Sequence, residues 1–326
     1  MFKKLLVPLD RSPLAEQAIG QAAAIARASG AGLDLVLVHQ PFPFDGFSDA
    51  PWSAQAWHEE RRYLELVADE VSSGSSVSAT HAILRGEAVD MICRHAWDID
   101  ADLIVMTSHG RTGLSRAWLG SVADGVLRYS TTPVLMLRPI DGKTRRDAAH
   151  HLFKRVLVPV DGSPLSAEVL AAATSLAKCS DARMSLLRVV QPVPMIIPDV
   201  AVPYAYTPPM PDDPATKRLA DEASHQLAEV ARQLHEESGV EIEARVVVEE
   251  RVASAILDFV RAHDIDVVAM STHGRGASRF LLGSVADKVL RGSGVSMLLY
   301  RPLRVQERAP AEEASGDEHA SALNHA

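Results

Sequence analysis

The sequence predicts an α/β protein built as two tandem doubly wound domains, each a parallel sheet with helices on both faces. Three observations predict it. Short apolar runs that read as buried strands, such as Leu5–Leu9 and Leu103–Met106, alternate with longer stretches that read as helices. The alternation runs β-α-β-α-β-α-β-α-β, which implies right-handed crossovers and a sheet covered on both sides. The chain then repeats itself. "KLLVPLDRSPL" from Lys4 is matched by "RVLVPVDGSPL" from Arg155, and "HGRTGLSRAWLGSVADGVLR" from His109 by "HGRGASRFLLGSVADKVLR" from His273.

The elements follow in order. Leu5–Leu9 is a strand closing at Asp10. Ser12-Pro13 supplies an N-cap and a proline at the first helical position. The Ala-rich stretch from Leu14 to Ala28 is the first helix, ended by Gly30 and Gly32. Leu33–Val38 is the second strand. A loop rich in proline and aromatics runs from Gln40 to about Trp52, and a helix follows from about Ala54 to Val71. Val77–Leu84 alternates as a strand, Ala88–Trp97 is helical, and Asp102–Met106 is a buried strand that opens straight into the Gly-rich loop. Ser121–Tyr129 is the last helix of this half and Val134–Leu137 its last strand. The second half repeats the order from Val156 to Tyr300, with a longer, proline-rich loop from Gln191 to Pro214 that is a lid, an interface arm or a mobile segment.

A chain of 326 residues has the length of about two domains. The repeat places them at residues 1–139 and 153–303, joined by a polar linker over 140–152. The tail over 304–326 is acidic and rich in Ala and Ser, a composition expected to stay disordered. A net charge of −9 argues against a nucleic-acid grip built on basic surface. Two cysteines, Cys93 and Cys179, one in each half, allow no framework of bridges and fit a reducing compartment. No charged-then-apolar leader and no apolar run long enough to span a bilayer is present, so the expected location is cytoplasmic, with no membrane partner.

Ligands of open parallel sheets sit beyond the carboxyl ends of strands, where the strand order reverses. Two turns per half carry suitable residues there: Asp10 or Asp161 after the first strand, and Thr107-Ser108-His109-Gly110 or Ser271-Thr272-His273-Gly274 after the fourth. Gly110 lets a ligand approach the backbone closely, and Gly120-Ser121 opens a helix whose N–H groups and dipole favour an anion. Each residue also has a plainer reading. Ser121-Val122-Ala123-Asp124 and Ser284-Val285-Ala286-Asp287 read as capping boxes with Asp in the usual Glu position. Asp10 and Asp161 each stand one residue ahead of a Ser-Pro pair, across Arg11 and Gly162, and suit a turn. His109 and His273 are either catalytic or loop-orienting, and Arg111 and Arg275 either pair with phosphate or are solvated. Neither a Walker-type loop nor a GxGxxG after the first strand is present, and metal-ligand spacings are absent, although Mg²⁺ could arrive with a nucleotide.

The opening Val-Pro-x-Asp together with "HGRTGLSRAWLGSVADGVLRYSTTPVLMLRP" resembles the universal stress protein family in its tandem-domain form, over Phe2 to Pro302. The resemblance implies five-stranded parallel sheets in the order 3-2-1-4-5. ATP-binding members carry Gly-x2-Gly-x9-Gly-Ser/Thr. Here the first half reads Thr107-x2-Gly110-x9-Gly120-Ser121 and the second Ser271-x2-Gly274-x8-Gly283-Ser284. Carried over by motif position, Pro8, Asp10, Pro159 and Asp161 would meet the adenosine part, and Met106 and Met270 the base or ribose. Thr107, Gly110, Arg111, Gly120, Ser121 and Val122 would line the phosphates in the first half, and Ser271, Gly274, Arg275, Gly283, Ser284 and Val285 in the second. A valine after the second strand is matched to Gln40 and Val189, and the third-strand turn to Gly86 and Glu250. A threonine in place of the leading glycine is costly only if the site needs φ > 0 there. The intact nine-residue spacer favours nucleotide binding by the first half at least as much as by the second.

The expected function is that of an ATP-binding regulator of the general stress response with little or no turnover, since no positioned general base is evident. The alternatives are an interaction module with vestigial sites, or an adenylyl-transferring or ATP-hydrolysing enzyme. In the family, last strands mediate dimerisation, so Val134–Leu137 and Val295–Tyr300 are expected to pair within the chain as a pseudo-dimer, or between chains as a homodimer.

Overall fold

The computed structural model describes residues 1–39, 51–108, 119–138, 152–193, 213–272 and 282–301. The first half runs β1 (Lys4–Leu9), α1 (Pro13–Ser29), β2 (Gly32–His39), α2 (Pro51–Ser75), β3 (Ala79–Arg85), α3 (Ala88–Asp98), β4 (Leu103–Thr107), α4 (Ser121–Tyr129) and β5 (Val134–Leu137). The second runs β6 (Arg155–Pro159), α5 (Pro164–Ala167), α6 (Leu170–Ser180), β7 (Arg183–Val190), α7 (Pro214–Ser238), β8 (Ile242–Val248), α8 (Val252–Ala262), β9 (Val267–Ser271), α9 (Ser284–Gly292) and β10 (Ser296–Tyr300).

Each half is a parallel α/β unit with its strands in the order 3-2-1-4-5. The two sheets are not separate. β5 pairs antiparallel with β10, Leu135 opposite Leu298, and so joins them into one ten-stranded sheet in the order β3-β2-β1-β4-β5-β10-β9-β6-β7-β8. The antiparallel pairing turns one half over relative to the other, so the carboxyl edge of the second sheet lies level with the amino edge of the first.

The sheet separates two apolar layers, and both cross the seam. On one face Leu5, Val7, Leu35 and Leu103 pack with α1 and α2, and Val156, Val158 and Leu186 with α6 and α7. On the other, Leu6, Val36 and Ile104 pack with α3 and α4, and Leu157, Leu187 and Val268 with α8 and α9. Strands buried on both faces need apolar residues at every position, which is why β1 and β4 read as unbroken runs. Each fully buried leucine there contributes about 1.5–3 kcal/mol. One repeated polar device pins the strand starts: Asp102 Oδ2 accepts from the N–H groups of Lys3 (2.6 Å) and Lys4 (2.9 Å), and Asp266 Oδ2 from those of Lys154 (2.7 Å) and Arg155 (2.9 Å). Asp102 and Asp266 thus stand just outside β4 and β9 rather than inside them.

Several boundaries differ from the sequence expectation. α2 starts at Pro51, before Ala54, and continues to Ser75. The first helix of the second half is broken into α5 and α6, with Val169 buried at the junction, whereas α1 is continuous.

Candidate functional site

The acidic turns come first. Ser12 caps α1, its Oγ accepting from Ala15 N–H at 3.1 Å, and Asp10 Oδ1 accepts from Ser12 N–H at 2.9 Å. Asp161 Oδ1 accepts from both the N–H (2.9 Å) and the hydroxyl (2.6 Å) of Ser163. Each aspartate therefore shapes its own turn. The residue between has φ > 0 in both copies: Arg11 at +67° and Gly162 at +80°. Both aspartates remain half-buried at the carboxyl edge. Pro8 is buried and Pro159 half-buried one step below them.

The fourth-strand turns come next. β1 pairs with β4 and β6 with β9, so in each half the acidic turn and the Gly-rich loop leave neighbouring strands. Met106, Thr107, Met270 and Ser271 are buried strand residues. Thr107 and Ser271 lie outside the set of positive-φ residues, so the change from glycine carries no backbone strain. Beyond them each loop is closed by one backbone bond: Gly120 N–H donates to Ser108 O at 2.8 Å, and Gly283 N–H to Thr272 O at 2.7 Å. The missing residue in the second loop leaves this base unchanged.

The helix starts correct the capping-box reading. The N-caps are Gly120 and Gly283, extended in backbone and making no side-chain cap. Ser121 and Ser284 are already the first helical residues, and are exposed. Asp124 and Asp287 do not reach back. They pair forward with Arg128 (2.7 Å) and Arg291 (2.9 Å). Neither N-cap offers a side chain to the first-turn N–H groups of α4 and α9, which include those of Val122 and Val285, an arrangement suited to an anion. Gly110, Arg111, Gly274 and Arg275, like His109, His273 and Gln40, lie outside the described residues.

In the second half these parts border one cleft of ≈ 1160 Å³. Its wall includes Pro159, Asp161, Val189, Met270, Ser271, Gly283, Ser284 and Val285. The expected residues of this half that are described therefore share a single cavity. Among the lining residues that sequence reasoning missed are four polar side chains. Arg188 donates from Nη1 to Gln226 Oε1 at 3.0 Å, and Gln226 Nε2 donates to Glu222 Oε1 at 3.1 Å, forming a polar wall between β7 and α7. The fourth is Arg128, which comes from α4 of the other half.

Strand register shows why the halves differ. Pro8 lies opposite Val36 and Pro159 opposite Leu187, so Val190 occupies the place of His39, and Arg188 that of Leu37. The counterpart of Val189 is therefore Val38, not Gln40. Likewise Gly86 N–H bonds to His39 O and Glu249 N–H to Val190 O, so Gly86 answers to Glu249 rather than Glu250. In the first half His39 Nδ1 meets Glu60 Oε2 at 2.7 Å, and its ring stands edge-on to Trp57 at 5.6 Å. Counting from the starts of the two equally long helices, Glu60 and Trp57 answer to Ala223 and Ala220. The side chains at these places are larger in the first half than in the second.

Among the described residues no group of three or more His, Cys, Asp or Glu is placed to hold a metal ion, and no helix is long and apolar enough to cross a membrane. Burial, with Asp90 adding and Arg301 partly offsetting, pushes the Cys93 thiol up to about 11; burial also raises Cys179.

The geometry agrees with what the chain is similar to. The universal stress protein family is matched twice, over residues 1–138 and 152–301. A universal stress protein of Methanocaldococcus jannaschii is 29% identical over 152 residues, 46% of this chain and 84% of that protein. One from Mycobacterium tuberculosis is 31% identical over 203 residues, 62% of each. The crystal structure of a universal stress protein from Archaeoglobus fulgidus has the same fold, with a TM-score of 0.63 at 20% identity, covering 91% of this chain and 96% of that one. The chain belongs to the universal stress protein family and carries the family's domain twice.

Proposed function

We propose that this protein is an ATP-binding regulator of the stress response, acting in the cytoplasm, and that the second-half cleft is its principal nucleotide site. The observation that carries the reading is the meeting of three unlike features in one cavity: the Asp161 turn, the apolar Val189 and Met270, and the uncapped N-terminus of α9 at Gly283-Ser284. A nucleoside suits the first two and a phosphate the third. Mg²⁺ would be carried mainly by the phosphates, since no cluster of ligating side chains is described there. Slow or absent turnover is part of this reading.

The first half has a different task. His39, Glu60 and Trp57 stand where the second half has the smaller Val190, Ala223 and Ala220, which favours a scaffold with a vestigial site. Residues 1–139 and 153–303 act as the two domains of a pseudo-dimer held through β5 and β10.

Thermal unfolding with ATP, ADP and AMP tests the reading. Nucleotide at a hundred times its Kd stabilises by about 2.7 kcal/mol. Unchanged melting with all three nucleotides contradicts it, and rapid steady-state ATP hydrolysis contradicts the regulatory role.

A further inference from the structure

The second-half cleft is not built by the second half alone. Arg128 stands in its wall, and Arg128 belongs to α4 of the first half. Strand register explains how it gets there. Val134, the first residue of β5, lies opposite Leu299 of β10, and the next residue, Tyr300, pairs with Ser271 at the end of β9. The carboxyl end of α4, which runs into β5, is thereby carried to the level of the second half's Gly-rich turn.

We propose that Arg128 is a phosphate-positioning residue supplied across the domain seam: it donates to the terminal phosphates of the nucleotide whose base and ribose are held by the second half. The inference rests on the nucleotide reading above and deepens it, since it makes the site selective for polyphosphates and makes occupancy of one half depend on the placement of the other. Arg128 suits the task chemically. Its Nε and Nη2 bond to the two oxygens of Asp124 at 2.7 and 3.0 Å, which fixes the plane of the guanidinium. A guanidinium is planar and permanently charged, a geometry that matches phosphate oxygens. The Asp124 hydrogen bond above all, with Asp287 of α9 contributing, raises its pKa further, so it is cationic at any working pH.

The test is calorimetric titration of the full chain with ATP, AMP and adenosine. Arg128→Ala is expected to weaken ATP about tenfold, as for one charge-assisted hydrogen bond lost. AMP and adenosine should change less than about twofold, because they do not extend to the terminal phosphates. Asp124→Asn separates positioning from propping: it loosens the same ion pair but keeps the cation, so ATP affinity should stay within about threefold of the original. Equal ATP affinity in Arg128→Ala, or equal losses for ATP and adenosine, overturns the proposal. So does an Asp124→Asn loss as large as that of Arg128→Ala. Absence of ATP binding to the unaltered chain overturns the nucleotide reading along with it, whereas binding that Arg128→Ala leaves intact overturns this inference alone.

Discussion

The Arg188 guanidinium lies against Gly162, its Nη1 only 2.7 Å from where a Cβ on that glycine would stand. Gly162 has φ +80°, where an L side chain costs roughly 1–2 kcal/mol. The guanidinium is the far end of a flexible chain and yields cheaply, so the backbone term dominates. Gly162→Ala is therefore expected to destabilise by about 1–2 kcal/mol, read as a lower denaturant midpoint at constant slope. An unchanged midpoint would show that the turn relaxes. Arg11 shows that a side chain is tolerated at the matching place, at φ +67°, where Leu37 replaces Arg188.

Two helical glycines make a contrasting pair. A Cβ on Gly125 would meet Val89 Cγ2 at 2.5 Å and Cγ1 at 3.0 Å, and one on Gly292 would meet Leu257 Cδ1 at 2.8 Å. Val89 is β-branched and stiff at χ1, while Leu257 has a second torsion with which to withdraw. Alanine gains about 1 kcal/mol of helix propensity over glycine at Gly125, inside α4, and less at Gly292, the last residue of α9. Overpacking of about 1–3 kcal/mol should outweigh that gain at Gly125. Gly125→Ala is thus expected to lower the melting temperature, and Gly292→Ala to leave it near its starting value. The reverse order would mean that α3 and α4 can separate more easily than α8 and α9.

These packing relations mark where the sequence was legible and where it was not. β1, β4 and β5 were readable because strands buried on both faces leave no polar gap, and α1 because Ser12-Pro13 is a local signal. The order of strands within each half followed from the family resemblance. The capping role of Ser121 misread a start that Gly120 takes, because a glycine with extended backbone can fill that place without a side chain. The pairings of Gln40 with Val189 and of Gly86 with Glu250 missed by one or two residues, since register depends on hydrogen bonds between strands. His39 with Glu60, Arg188 with Gln226, and Arg128 in the opposite half's cleft are contacts across elements. No local pattern announces them.

The cysteines give the fold a pH signature. Burial, with Asp90 adding and Arg301 partly offsetting, raises Cys93 from the ordinary 9.0 to about 11. Above pH 9 the unfolded thiol gives up its proton while the folded one keeps it. The unfolded state then binds fewer protons, and stability falls as pH rises until the folded pKa is passed. Cys179 is raised in the same direction, chiefly by burial, and adds to the effect. At pH 8 only about a thousandth of Cys93 is thiolate, against about a tenth of a free thiol, so its alkylation should be about a hundredfold slower in the native chain than in denaturant. Equal rates would mean that α3 opens readily enough to expose the thiol.

The filled first half supplies the sharpest comparison with the open second. His39 and Glu60 are 13% and 12% exposed at the side chain and contact each other at 2.7 Å, in the places that Val190 and Ala223 take in the other copy. Glu60→Ala alone should destabilise, because it leaves the imidazole without its acceptor at a cost of about 1–3 kcal/mol. His39→Val combined with Glu60→Ala removes both polar groups at once. The double variant is expected to recover most of that loss, since no buried group is then orphaned. It also copies the second half's wall, while the base of the Gly-rich loop is already closed by the same backbone bond in both halves. Equilibrium dialysis of the double variant should therefore register a second equivalent of bound ATP. If the variant folds with the stability of the original chain yet gains no nucleotide, the closed state of the first half resides in Trp57, Leu37 or the missing counterpart of Arg188 rather than in the His39–Glu60 pair.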